Sequence, residues 1–151
     1  MQLKGRIDAD LKTAMLARDA FLSELLRGLK SAILYQEVAL KKREEGLSDA
    51  EIEQVLAKEA KKRSEAAELF DRGGNHEAAD KERREKTAID GYLPTQLDEM
   101  QIAAIVDEVI SGLDNAGPAA MGQVIGAVKA KTGTTADGAI IAQIVKQKLG
   151  V

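Results

Sequence analysis

Apolar residues in this chain recur at steps of three and four, the interval that keeps side chains on one face of an α-helix. Leu3, Ile7, Leu11, Ala14 and Met15 mark a first helix over residues 2–17. Leu22, Leu25, Leu26, Leu29 and Ile33 mark a second over residues 19–45, which runs into Lys41-Lys42-Arg43-Glu44-Glu45-Gly46. Basic residues there suit the negative end of the helix dipole, and Gly46 offers a left-handed cap. Ser48-Asp49-Ala50-Glu51 has the form of a capping box opening a third helix, with Ile52, Val55, Leu56, Ala60, Ala67 and Phe70 on its apolar face. Arg72-Gly73-Gly74-Asn75 closes it, and Asn75 is suited to cap a fourth helix reaching about Tyr92. That fourth helix brings only Ala78, Ala79 and Ala88 to a core before Ile89, Tyr92 and Leu93. It is expected to pack through small residues or to stand partly free.

Leu93-Pro94-Thr95-Gln96-Leu97 is the clearest boundary, because proline disfavours helical geometry in the residue before it. The side chains also change character there, from Lys, Arg and Glu to β-branched residues, Gly and Ala. After it, Asp98 is placed to cap a helix carrying Ile102, Ile105, Val106, Val109, Ile110 and Leu113. Gly117-Pro118 turns the chain into a short helix with Met121, Val124, Ile125 and Val128, ending at Thr132-Gly133. A last helix after Asp137 carries Ile140, Ile141, Ile144, Val145 and Leu149. Isoleucine and valine favour strands, but this spacing follows a helical face and does not alternate. The pattern thus predicts an all-α protein, with an N-terminal domain of about four helices at residues 1–93 and a three-helix bundle at 94–151.

Composition narrows the chemistry. Aromatics make up 3% of the chain and tryptophan is absent, so Leu, Ile, Val and Ala must build the cores. Without cysteine there is no disulfide, thiolate nucleophile or Cys-bound metal. The first residues lack the apolar stretch of a signal peptide, and no apolar run approaches the ~20 residues of a bilayer span, so a cytoplasmic protein is expected. The net charge of −3 is no signature of a nucleic-acid binder. The region after Leu93 does not escape this, holding four of the 22 basic and six of the 25 acidic side chains.

No catalytic arrangement emerges. The five serines stand in helical contexts with no nucleophile elbow, and Ser48 already serves as a cap. His76 is the only histidine and reads as an exposed residue in a first helical turn, with no ligand set beside it. The carboxylate pairs Glu44/Glu45, Glu51/Glu53 and Asp107/Glu108 sit beside basic residues or on the polar faces of helices, and read as solvated faces and ion pairs at helical spacing. Gly126-Ala-Val-Lys-Ala-Lys-Thr-Gly133 lacks the order of a phosphate-binding loop. Neither a cofactor nor a metal is expected. The basic clusters at Lys41–Arg43, Lys58–Arg63 and Lys81–Lys86 are interleaved with glutamate and read as salt-bridged helix surfaces. In the tail, Lys129, Lys131, Lys146 and Lys148 near two helix ends either complement the dipoles or face phosphate. Gly122 and Gly126 share one helical face, and each costs about 1 kcal/mol relative to alanine. Either a neighbouring helix or an RNA backbone must approach closely there to offset it. Few aromatics are available for stacking on bases, so any RNA contact would read shape and backbone.

Met121-Gly-Gln-Val-Ile-Gly126, Lys131-Thr-Gly133 and Ala136-Asp-Gly138, followed by Ile141 and Val145-Lys146, resemble the tail domain of the GatB/YqeY family. Leu25-Leu-Arg-Gly-Leu-Lys-Ser-Ala32, Gly73-Gly74 and Tyr92-Leu-Pro94 extend the resemblance to a stand-alone YqeY-like protein over nearly the whole chain. The resemblance implies a tail that contacts the outer corner, or elbow, of tRNA. It further implies company with an aminoacyl-tRNA synthetase or a tRNA-dependent amidotransferase. The family is catalogued under carbon–nitrogen ligase activity with glutamine as amido donor. This chain lacks the cradle domain that precedes the tail in the amidotransferase subunit, so the expectation is a non-catalytic tRNA-binding accessory module. The alternative is a protein–protein adaptor using the charged N-terminal helices. Where the family commonly carries basic residues around Ala136-Asp-Gly138, this chain has Thr134, Thr135 and Ala139.

Overall fold

A computed structural model describes residues 2–150. Among them are seven α-helices and no strand: α1 (Gln2–Leu16), α2 (Ala20–Ala39), α3 (Asp49–Arg72), α4 (His76–Asp90), α5 (Glu99–Ser111), α6 (Met121–Thr132) and α7 (Gly138–Leu149). Two 3-10 turns, Pro118–Ala120 and Gly133–Thr135, precede α6 and follow it. The chain divides into two compact units, residues 1–93 and 94–151.

In the first unit, Leu3, Ile7 and Leu11 of α1 meet Leu25, Leu26, Leu29 and Ile33 of α2, and Ile52, Leu56 and Ala60 of α3. Ile89 joins them from the end of α4 and Leu47 from the loop before α3. Burying each leucine or isoleucine contributes about 1.5–3 kcal/mol. The core ends at Ala60. Beyond it only Ala67 of α3 and Ala79 of α4 are buried, so the far half of the α3–α4 hairpin closes on itself through alanine. Phe70, expected on the core face, lies in that far half and stays partly exposed. Met15 is likewise exposed, and Ala14 takes the core position at the end of α1.

The second helix is shorter than its sequence suggests. It stops at Ala39, six residues before Glu45, and Lys41 takes the left-handed conformation with φ 57°. The N–H of Lys42 donates to the Glu37 carbonyl at 2.8 Å, closing the helix as a Schellman turn with lysine where glycine is usual. The reason lies in Leu47, which is fully buried. A helix continued to residue 45 would carry Leu47 away from the core. Gly46 does adopt φ 77°, but in the loop and not as the helix cap.

Polar bridges tie this unit together. Glu37, on the core side of α2, is buried and accepts from Lys4 Nζ at 2.7 Å. Asp49 at the start of α3 reaches back to accept from the Leu3 N–H at 3.1 Å, capping α1 from 46 residues away. Ser48 and Glu51 form the capping box, and Asn75 caps α4 by accepting from the Ala78 N–H. Tyr92 donates to Asp10 Oδ2, and Arg6 stacks over its ring while donating to the Gly91 carbonyl. Burial and the Asp10 carboxylate push the Tyr92 hydroxyl well above the ordinary phenol range.

The second unit is a three-helix bundle. Its core comprises Ile102 and Val106 of α5, Val124 and Val128 of α6, and Ile141, Ile144 and Val145 of α7, with Ala120 beneath. Asp98 and Gln101 form a second capping box, and Asp137 accepts from the Ala139 N–H at 2.7 Å. The segment before α5 is pinned to the α6–α7 turn. The Leu97 N–H donates to the Thr135 carbonyl at 2.8 Å, and Gln96 Nε2 donates to the Thr134 carbonyl at 2.9 Å. No helix among the described residues is long and apolar enough to cross a membrane.

Candidate nucleic-acid interface

Each of the four tail lysines is exposed, yet they differ in what holds them. Lys131, in the last turn of α6, pairs with Glu108 at 3.0 Å. Lys148, in the last turn of α7, pairs with Asp107 at 3.2 Å. The two lysines therefore reach successive carboxylates of α5 from the two flanking helices. Lys129 lies over Gly138, where an added Cβ would stand 3.2 Å from its Cε and 3.3 Å from its Nζ. This leaves the ammonium beside the positive, N-terminal end of α7, next to the capping residue Asp137. Lys146 makes no ion pair among the described residues, and about 12 Å of helix separates it from Gly138.

Gly122 and Gly126 lie on the exposed face of α6, with nothing within 4 Å of where a Cβ would project. No helix of this unit approaches them, which removes close packing within the bundle as their explanation. Gln123 and Ala130 on the same face are also exposed, leaving the α6 backbone bare to an approaching surface. The threonines before Ala136-Asp-Gly138 serve the fold: their carbonyls hold residues 96 and 97, and Thr135 Oγ1 donates to the Thr132 carbonyl.

Each basic cluster of the first unit is engaged internally in part. Lys42 donates to Glu51 at 2.6 Å, and that bond raises the lysine's pKa and lowers the glutamate's. Arg63 bridges Glu59 of its own helix at 2.7 Å and Glu85 of α4 at 2.9 Å. Burial alone would push the Glu59 carboxyl up, but its bonds from Arg63 and Lys62 hold it below the usual range. Arg83 joins Asp71 and Asp80, and Lys86 joins Asp90. His76 meets Asp71 at 2.8 Å, and the Arg83 and His76 bonds hold that carboxyl low. Arg83 is correspondingly raised by its bonds to the two aspartates.

Sequence reasoning missed the buried Glu37–Lys4 pair and the Asp10–Tyr92–Arg6 clasp. Glu37 carries a usable signal, lying one turn beyond Ile33 on a face that is otherwise apolar. The clasp carries none, because its members are 82 residues apart. Among the described residues no group of three or more His, Asp or Glu side chains gathers to hold a metal ion.

No curated protein matches the chain. The family model described as Yqey-like protein matches residues 4–149, taking in the helices of both units. On that match the chain belongs to the Yqey-like protein family.

Proposed function

We propose that this protein is a non-catalytic tRNA-binding accessory module whose tail docks on the elbow of folded tRNA, in the manner of the amidotransferase tail it resembles. The observation that carries the reading is the open glycine face of α6. Gly122 in the first turn and Gly126 in the middle both weaken α6, Gly126 by about 1 kcal/mol relative to alanine, and nothing inside the unit uses the space they leave. A backbone-to-backbone approach by RNA would use it. Lys129 beside the α7 N-terminus and unpaired Lys146 supply charge for phosphates at the flanks. The ligase label of the wider family then belongs to proteins that add catalytic domains to such a tail. Cytoplasmic company with an aminoacyl-tRNA synthetase or an amidotransferase follows from the same reading.

Filter binding of bulk tRNA to the full chain tests it. The expected result is binding at about 50 mM salt that weakens steeply as salt rises, with a shallower salt slope for the K129A/K146A variant. Absence of binding at low salt sinks the reading. Incubation with glutamine should release no ammonia, since Ser48 is committed to its cap and His76 to Asp71.

An adaptor role is favoured by one separate feature, the far half of the α3–α4 hairpin with Leu69 and Phe70 exposed. A protein partner recovered with the full chain after nuclease treatment, and lost on Leu69→Glu, would support that role.

A further inference from the structure

The exposed side of α6 begins and ends in lysine. Taken around the helix at about 100° per residue, Lys129, Gly122, Gly126, Ala130, Gln123 and Lys131 follow one another over about 200°. All six are exposed, and the remaining side of the helix buries Val124, Val128 and Thr132. Between the two lysines this arc carries no acid and no side chain larger than glutamine.

The two lysines are not equivalent. Lys129 borders α7, lies over Gly138 and makes no ion pair among the described residues. Lys131 borders α5, where Glu108 holds its ammonium at 3.0 Å. The side chains of that pair are 48% exposed for Lys131 and 67% for Glu108, so both stay open to a ligand laid on the arc. Asp107 stands about 100° further round α5 and receives Lys148 from α7 instead. Glu108 is thus the acid that bears on the α6 arc, whereas Asp98 and Asp137 are engaged as helix caps.

We propose that Glu108 competes with RNA phosphate for Lys131, so that the α6 face meets RNA with one lysine free and the other withheld. The inference rests on the tRNA-binding reading of the tail and adds how that face is restrained. An exposed lysine–carboxylate pair contributes little to stability, and Val106, Val124 and Val128 already hold α5 against α6. What the pair changes is the availability of the ammonium. Carboxylate and phosphate offer it the same kind of charged oxygen acceptor, so a phosphate arriving beside Gly126 must displace Glu108 and tolerate its charge nearby. A polyanion that brings charge alone gains little from such a face. A backbone that also fits closely over the glycines gains contacts that Glu108 does not touch.

Filter binding of bulk tRNA to full-length chains between about 50 and 200 mM salt tests this. Glu108→Gln should bind about fivefold tighter than wild type at the low end, with unchanged circular dichroism. Its salt dependence should be steeper by about one phosphate contact. Lys131→Ala should alter wild-type binding by less than about twofold, yet remove most of the gain when combined with Glu108→Gln. Asp107→Asn makes the same change in net charge one residue away and should stay within about twofold of wild type, which separates release of Lys131 from a general loss of negative charge. The proposal is overturned if wild type binds and Glu108→Gln matches it in affinity and salt slope, or if Asp107→Asn gains as much as Glu108→Gln. It is equally overturned if Lys131→Ala weakens the wild type as strongly as it weakens Glu108→Gln. In each of these cases the wild type still binds and the reading of the tail stands. If none of the chains binds at low salt, that reading fails and this inference fails with it.

Discussion

The two units solve the same problem with different materials. Residues 1–93 pair a leucine-rich core with side-chain bridges that run between helices: Lys4 to Glu37, Asp49 to the start of α1, Arg63 to Glu85, Tyr92 to Asp10. Residues 94–151 use an isoleucine and valine core, local caps at Asp98 and Asp137, and few charges. The contrast shows where charge is free to act. In the first unit Lys4, Lys30, Lys42, Arg63 and Arg83 tie one element to another, as Lys131 and Lys148 do in the second. In the second, the open α6 backbone, Lys129 and Lys146 carry no comparable structural duty.

The strongest way to break the comparison is to remove a core side chain from each unit. Leu26 and Ile141 are both fully buried, one in each cluster. Leu26→Ala and Ile141→Ala should each cost about 2–5 kcal/mol. Amide hydrogen exchange, read residue by residue, should assign the first loss to residues 1–93 and the second to 94–151. A loss spread evenly over both units from either variant would mean that the two cores are not separate folding units.

The glycine face offers a smaller effect with a sharper meaning. Because a Cβ at Gly122 or Gly126 meets open space, Gly122→Ala with Gly126→Ala should stabilise the tail by up to about 2 kcal/mol. The same double variant should weaken tRNA binding, as the two methyl groups would hold an RNA backbone off α6. Thermal melting and filter binding read the two consequences separately. A variant that is more stable and binds unchanged would show that the glycines serve no ligand.

What could be read from the sequence divides along the same line. Caps were legible at Ser48, Asn75 and Asp98, because an N-cap is a local event decided within three residues. The end of α2 was not. Nothing in Lys41-Lys42-Arg43 reveals that the helix must stop so that Leu47 can return to the core. Lys41 and Arg18 both take left-handed conformations without being glycine, so the usual marker was missing. In the tail, the helices and core positions followed from spacing, whereas the fate of each lysine depended on α5. Asp107 and Glu108 looked like solvated carboxylates, and each holds a lysine from a different helix.

The smallest effect probes how the first unit uses charge. Glu59 keeps a carboxyl pKa below its ordinary value, so the folded state releases that proton more readily than the unfolded chain does. Its contribution to stability is therefore present above the unfolded carboxyl value of about 4.3 and is lost as pH falls through the folded one. Glu59→Gln removes the titration while keeping an oxygen that can accept from Arg63. The variant should be somewhat less stable than wild type at pH 7, and the two stability curves should converge as pH drops from about 5 to 3. Denaturant titrations at a series of pH values measure this. A constant separation down to pH 3 would mean that Arg63 spans α3 and α4 through Glu85 alone, with Glu59 contributing shape and not charge.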